Sequence, residues 1–267
     1  MQFNVDEIVN EVQSKTKYCH IFPGLIENIA INEIKKGRSR KETVKAIRNK
    51  IHQVANVYRT SNLNFADLTG EMLALPADLQ HPASLAFLSR TMEKHASTRE
   101  RLAIIDDFYQ KSLENIPEIH SILDLACGLN PLALAWMPVH PQVELHVCDI
   151  YTDQVDFLNA YFDHFKINGR AFCCDLSSTI PDIKTDITYV LKTIPCLEHL
   201  RKDIGKSLIE GIQSKYILVS FPAQSLTGRK KGMRHFYDGQ FQTLTAEFGY
   251  SIDVFSFSNE QGYLVIK

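Results

Sequence analysis

Two aspartates and a turn with one glycine are the residues of this sequence whose types and spacing point to chemistry. The stretch SILDLACGLNP, from Ser121 to Pro131, runs from apolar residues into Asp124, then a small-residue turn ending at Gly128, then a helix-like apolar pattern from Leu132. Strand, tight turn and helix in that order bring backbone N–H groups to the carboxyl end of a buried strand, where a small polar ligand can be held. A dinucleotide fingerprint needs three glycines here, so the close backbone approach that a pyrophosphate requires is disfavoured. Asp149 ends the next apolar segment, 21 residues after Gly128, a spacing that suits a carboxylate accepting from ribose hydroxyls. Asp175 follows a third apolar segment, where it can accept from an adenine amino group while Leu176 covers the ring. Either aspartate alone is an ordinary turn residue at a strand end. Together, after the same turn, they point to a nucleoside without a phosphate.

A ligand with one nucleoside end and one amino-acid end is S-adenosylmethionine. Arg101, one turn into the helix expected after His95, could form a bidentate pair with the methionine carboxylate, an exposed salt bridge being the ordinary alternative. His95 and Ser97 fall where they could line the same mouth.

The elements that must position these residues differ along the chain. Residues from about 4 to 92 carry helical periodicity broken by Pro, Gly and Ser, with no convincing alternating strand. Ser39 with Glu42 forms a capping box, so a helix is expected from about Arg40 to Tyr58 with Val44, Ile47, Ile51, Val54 and Val57 inward. Short helices are expected over Leu63–Met72 and Ala83–Glu93. Ser97 with Glu100 reads as a second capping box, with His95 to Ser97 as a loop and a helix from Thr98. From Ile119 onward apolar strands alternate with helices, including LALAWM and a helix from about Glu198 to Ile212, and the chain finishes on a hairpin, FSFS and GYLVIK, turning at Asn259 to Gly262. The fold expected is α/β: a Rossmann-like class I methyltransferase sheet with a helical N-terminal domain. The division expected is 1–94 for RNA docking and 95–267 for cofactor binding.

Composition narrows the partners. At 45% hydrophobic and 22% charged residues, the 267-residue chain matches an ordinary globular protein. It has no apolar run long enough to span a bilayer and no secretory pattern at its start, so a cytoplasmic monomer is expected. The six cysteines form no C-x-x-C pair, and buried free thiols are expected, with no metal. Net charge is −2, but Lys35, Lys36, Arg38, Arg40, Lys41, Lys45, Arg48 and Lys50 face one acid, Glu42, between positions 35 and 50. Arg229, Lys230, Lys231 and Arg234 make a second cluster. Positive charge concentrated in this way is the footprint expected of a phosphate-binding surface, against the alternative of a solvated helix face.

The motifs HASTRERL, DLACGLNPLAL, CDI, LKTIPCLE and FPAQSLTGRKKGM, in that order, resemble the aminoglycoside-resistance 16S rRNA (guanine(1405)-N(7))-methyltransferases, most strongly from His95 to Met233. The resemblance implies S-adenosyl-L-methionine contacts at His95, Ala96, Ser97, Arg101, Ala126, Gly128, Asp149, Ile150, Asp175, Leu176 and Leu191, with Tyr58 closing the pocket. It also implies a contact at Leu200, where relatives often carry a polar residue. Thr227 stands where relatives usually have a glycine. The partner implied is 16S rRNA within the 30S subunit. On that reading Met233 packs on the extruded base, Arg229, Lys230 and Lys231 meet adjacent phosphates, and Lys192 and Pro195 reach the target pocket. The basic residues from Lys35 to Arg48 dock the RNA by shape and phosphate contacts. No acid or base is assigned, because guanine N7 carries a free lone pair. The rivals are a methyltransferase acting on adenine N1 nearby, a small-molecule methyltransferase that would not use the basic helix, and a non-catalytic RNA-binding protein on the same scaffold.

Overall fold

A computed structural model of the chain describes residues 4–55, 63–223, 239, 241–243 and 246–267. The N-terminal helices are α1 (Val5–Gln13), α2 (Pro23–Ile34) and α3 (Arg40–Ala55), followed by α4 (Phe65–Leu73), α5 (Pro82–Met92), α6 (Ala96–Leu102) and α7 (Ile105–Leu113). Then come β1 (Ser121–Leu125), β2 (Glu144–Asp149), α8 (Thr152–His164), β3 (Gly169–Cys173), β4 (Ile187–Leu191), α9 (Ile194–Glu198), α10 (Ile204–Gly211), β5 (Tyr216–Pro222), β6 (Ser251–Ser256) and β7 (Glu260–Ile266). Among the described residues no helix is long and apolar enough to cross a membrane.

The strands form one sheet in the order β3-β2-β1-β4-β5-β7-β6. Neighbours from β3 to β5 pair in parallel, while β7 lies antiparallel between β5 and β6. Strand β4, ITYVL, is buried along its whole length, as expected of a strand covered on both faces. The strand order reverses at β1, which has β2 on one side and β4 on the other. A crevice opens beyond the carboxyl ends of the strands at such a switch point.

Several local expectations are corrected. After β1 the chain forms a 3-10 helix, Asn130–Trp136, where LALAWM suggested an α-helix. Pro131 and Pro138 leave only about two turns between them, and at seven residues the run is long for the tighter helix. The long helix expected from Glu198 to Ile212 is two, α9 and α10, because Asp203 between them takes φ +59°. The terminal hairpin turns through Phe257 to Asn259, starting two residues and ending three residues earlier than expected. Gly262 lies within β7, opposite Phe255 and Ser220.

The second capping box does not form: α6 begins at Ala96, His95 is its N-cap, and Ser97 is inside the helix. Glu100 instead meets Lys192, 92 residues away, at 2.7 Å. The first box does form, with Ser39 N and Oγ both donating to the Glu42 carboxylate and Ser39 Oγ accepting from Glu42 N.

Buried side chains divide the molecule between Ile51 and Leu63. Helices α1 to α3 close on Ile8, Val12, Ile26, Val44, Ile47 and Ile51. Helices α4 and α5 instead send Phe65, Leu68, Met72, Phe87 and Leu88 into the core of the sheet, where the Phe65 ring lies 5.2 Å from that of Phe157 on α8. The boundary expected at residue 94 therefore falls inside one continuous core. The N-terminal helices are fastened to the loop after β2. Phe22 N donates to Ile150 O and Thr152 N to His20 O, both at 2.8 Å, beside an antiparallel bridge between Ile21 and Tyr151.

Candidate cofactor site and cationic face

A cleft of about 870 Å³, its open mouth included, lies beyond the carboxyl ends of the strands. Of the residues expected around a cofactor, His95, Ser97, Arg101, Ala126, Gly128, Asp149, Ile150, Asp175, Leu176, Leu191 and Leu200 line it. Ala96 is not on its wall, because the wall residues of this segment are His95, Ser97 and Arg101, on another side of α6. Tyr58 lies outside the described residues. Leu25 and Val54 from the N-terminal helices also face the cleft, and neither carried a motif.

The turn after β1 is shaped by left-handed backbone. Ala126 has φ +52° and Gly128 φ +54°. A Cβ on Gly128 would lie 2.6 Å from Cε1 of His95, so glycine is favoured by the left-handed backbone and by the imidazole packed over it. Gly128 N donates to Asp149 Oδ2 at 2.9 Å, and Ile150 N donates to Oδ1 at 2.7 Å. Burial raises the Asp149 carboxyl above its ordinary value, opposed by these backbone bonds. Asp175 accepts at Oδ1 from Ser177 N (2.9 Å) and Oγ (2.6 Å), and at Oδ2 from Asn28 Nδ2 (2.8 Å) and Ser178 Oγ (3.2 Å).

Arg101 is not the exposed salt-bridge residue of the ordinary alternative. It is 2% exposed. Its Nη2 donates to Glu260 Oε1 at 2.6 Å and its Nη1 to Asn130 Oδ1 at 2.8 Å, leaving Nε buried without a hydrogen-bond partner. Burial opposes the guanidinium's charge, but Glu260 holds it protonated. Burial would likewise raise the Glu260 carboxyl, yet Arg101 and Lys192 bring it below its ordinary value. Lys192, expected to reach the target pocket, lines the cleft. It is 1% exposed, with Nζ 2.7 Å from Glu100 and 3.3 Å from Glu260, on a backbone at φ +57°. Its ammonium is thus paired with two carboxylates at the cleft wall. Glu260, which has no motif of its own, was missed, and Asn130 was given no role although it lies within the motif DLACGLNPLAL. Asn130 Oδ1 also accepts from Tyr109 Oη at 2.6 Å, and its Nδ2 donates to Asp124 Oδ2 at 2.8 Å.

These residues fit a ligand with a nucleoside and an amino-acid end. Leu176, Leu191 and Leu197 provide apolar wall, Asp149 and Asp175 provide acceptors, and the orphaned Arg101 Nε is a donor suited to a carboxylate.

The basic residues of the N-terminal helices divide into two kinds. Arg40 pairs with Glu7 (2.7 Å) and Glu11 (2.9 Å) on α1, and Arg48 Nη2 donates to Glu11 O at 2.8 Å. Lys36 (2.7 Å), Arg38 and Lys50 (3.0 Å) converge on Glu33, whose side chain is fully buried. One carboxylate among three cations leaves that corner of the surface positive. Lys35, Lys41 and Lys45 are exposed and carry no ion pair among the described residues. Arg40 and Arg48, expected to touch RNA, are thus engaged in fastening α3 to α1. Arg229, Lys230, Lys231 and Met233 lie outside the described residues.

The sheet order, the switch-point cleft and its glycine turn define a Rossmann-like class I methyltransferase. Residues 14–265 match the family described as ribosomal RNA methyltransferase (FmrO), and the chain belongs to that family. It is 33% identical to a 16S rRNA (guanine(1405)-N(7))-methyltransferase of Frankia casuarinae over 98% of this chain and 93% of the relative. It is 31% identical to the protein of the same description from Micromonospora echinospora, over 98% and 97%. Among solved structures it is similar to the 16S rRNA methyltransferase RmtF in complex with S-adenosyl-L-homocysteine, with a TM-score of 0.82 and 28% identity over 100% of this chain and 99% of that one.

Proposed function

We infer that this protein transfers a methyl group from S-adenosylmethionine to N7 of guanine-1405 of 16S rRNA, acting as a cytoplasmic monomer on the assembled 30S subunit and giving resistance to aminoglycosides. The observation that carries the chemistry is the cleft at the β1 switch point, with Gly128, Asp149, Asp175 and the buried Arg101 on one wall system. Membership of the family and the names of the relatives support the acceptor.

S-adenosylmethionine supplies a methyl group on a sulfonium, which guanine N7 takes with its lone pair in an in-line displacement: the N7–carbon bond forms as the carbon–sulfur bond breaks, and the positive charge passes to the base. The protein's residues have no proton to remove from N7. Glu260, a buried acid behind the cleft wall, is held ionised by Arg101 and Lys192 and serves to fix their positions. Orientation is therefore the main contribution expected of the cleft, through a near-attack geometry of donor and acceptor. With the cofactor bound, the leucine wall and Asp175 would orient the nucleoside, Asp149 would accept from the ribose, and Arg101 Nε would donate to the carboxylate. Extruding the base costs a few kcal/mol, offset by contacts elsewhere on the RNA. Lys35, Lys41 and Lys45, with the cations around Glu33, offer such contacts on α2, α3 and the turn between them.

N7 methylation removes an acceptor from the major-groove edge and leaves a fixed positive charge. A polycationic drug lying there is deprived of a hydrogen bond and meets repulsion. The test is tritiated methyl transfer to purified 30S subunits beside naked 16S rRNA, with the site mapped by borohydride–aniline cleavage and primer extension. Incorporation into 30S with cleavage at G1405, together with raised inhibitory concentrations of kanamycin and gentamicin in a sensitive host, is expected. Incorporation at an adenine, or none with either substrate, would overturn the assignment.

A further inference from the structure

We propose that Asn28 is a cofactor-positioning residue: from α2, outside the methyltransferase sheet, it sets the direction of the Asp175 carboxylate, so that α2 forms part of the cofactor site and cofactor binding orders α2. The proposal rests on S-adenosylmethionine as the methyl donor and adds a residue that no motif in the chain marked.

The carboxylate of Asp175 is 5% exposed, and four donors already reach it. They are not equivalent. Ser177 N and Oγ hold Oδ1 within the turn after β3, at 2.9 and 2.6 Å. Ser178 Oγ has one hydrogen, and its oxygen lies 3.2 Å from Oδ2 and 3.1 Å from the Asp175 carbonyl, so its bond to the carboxylate is the shared one. Asn28 Nδ2 lies 2.8 Å from Oδ2 and 3.0 Å from Ser178 Oγ, so its two hydrogens serve both partners. An incoming exocyclic amine therefore finds one acceptor position to take, the one that Ser178 can give up to its own carbonyl contact. The Asn28 bond remains and keeps Oδ2 aimed.

Asn28 does not act as an isolated side chain. Leu25, three residues before it on α2, lines the cleft, as does Val54 on α3. The backbone bond from Phe22 to Ile150 pins the start of α2 beside Asp149, the other acid of the site. Five residues beyond Asn28 stands Glu33, which gathers Lys36, Arg38 and Lys50. A single helix thus touches an acid of the cofactor site at its middle and organises cations at its C-terminal end. A ligand that fixes Asp175 also favours the docked position of α2, and linkage requires the converse.

The experiment is calorimetric titration of the full chain with S-adenosylhomocysteine, for the wild type, Asn28→Ala and Asn28→Gln, with hydrogen–deuterium exchange of residues 23–34 with and without that ligand. Loss of a hydrogen bond to a charged group predicts about tenfold weaker binding for Asn28→Ala. Asn28→Gln, which keeps the amide donor, is expected to recover at least half of that loss on a logarithmic scale. Exchange in α2 is expected to slow when the ligand saturates the wild type. Binding by Asn28→Ala within twofold of the wild type overturns the proposal, as does unchanged α2 exchange at saturation. The second measurement needs no variant and stands if Asn28→Ala fails to fold. A wild type that does not bind the ligand overturns the donor assignment itself, a result separate from binding that ignores Asn28.

Discussion

Gly128, Ala126 and Lys192 share a left-handed backbone, and all three border the same cleft. Such conformations cost a side-chain-bearing residue about 1–2 kcal/mol and persist where the surroundings over-determine them. At Ala126 and Lys192 the chain carries that cost; at Gly128 a side chain would add a collision, with His95 at 2.6 Å. Gly128→Ala is expected to weaken S-adenosylhomocysteine binding by about tenfold or more and to lower stability by about 1–2 kcal/mol. Calorimetry and thermal melting read the two effects separately. Binding within twofold of the wild type would show that the turn tolerates a methyl group and that its shape is not what holds the ligand.

At the scale of elements, the basic stretch holds two kinds of side chain. Arg40 and Arg48 tie α3 to α1, whereas Lys35, Lys41 and Lys45 stand exposed without ion pairs among the described residues. Lys35→Glu, Lys41→Glu and Lys45→Glu combined should therefore weaken binding to 30S subunits and flatten its salt dependence, by about 0.7–0.9 in logarithmic slope for each phosphate no longer neutralised. Cofactor affinity and melting temperature should stay near wild type, since none of the three lines the cleft or a core. Filter binding over a series of salt concentrations measures the slope, and an unchanged slope would move the docking surface elsewhere. The spacing of eight bases in sixteen residues marked the surface as positive. It could not separate exposed, unpaired bases from fastening ones, because the partners that decide, Glu7, Glu11 and Glu33, come from α1 and α2.

For the molecule as a whole, the polar cluster beneath the cleft links stability to pH. Burial pushes the Asp124 carboxyl up to about 7, with the Asn130 amide and Arg101 opposing the rise. A carboxyl whose value is raised on folding favours the folded state most fully below its unfolded value near 4, and that contribution is lost as pH rises through about 7. Wild-type stability should therefore fall relative to Asp124→Asn between about pH 4 and pH 7, by about 2–4 kcal/mol at the upper end. Chemical denaturation of both proteins at several pH values tests this, and parallel curves would remove the assignment.

The chain's own order of residues determined the α/β class, the strand ends carrying Gly128, Asp149 and Asp175, and the capping box at Ser39, because periodicity, turns and caps are set by neighbours within a few residues. It also carried the family motifs. Only the tertiary structure decided which charges remain available. Arg101, Lys192 and Glu260 form one buried ion cluster although up to 159 residues separate them. The same competition redirected Glu100 from a helix cap to Lys192. Likewise Asn28 reaches Asp175 across 147 residues. A charge or amide close to neutral in propensity is placed by whatever packing brings within about 3 Å of it, and that distance is a property of the folded core rather than of sequence spacing.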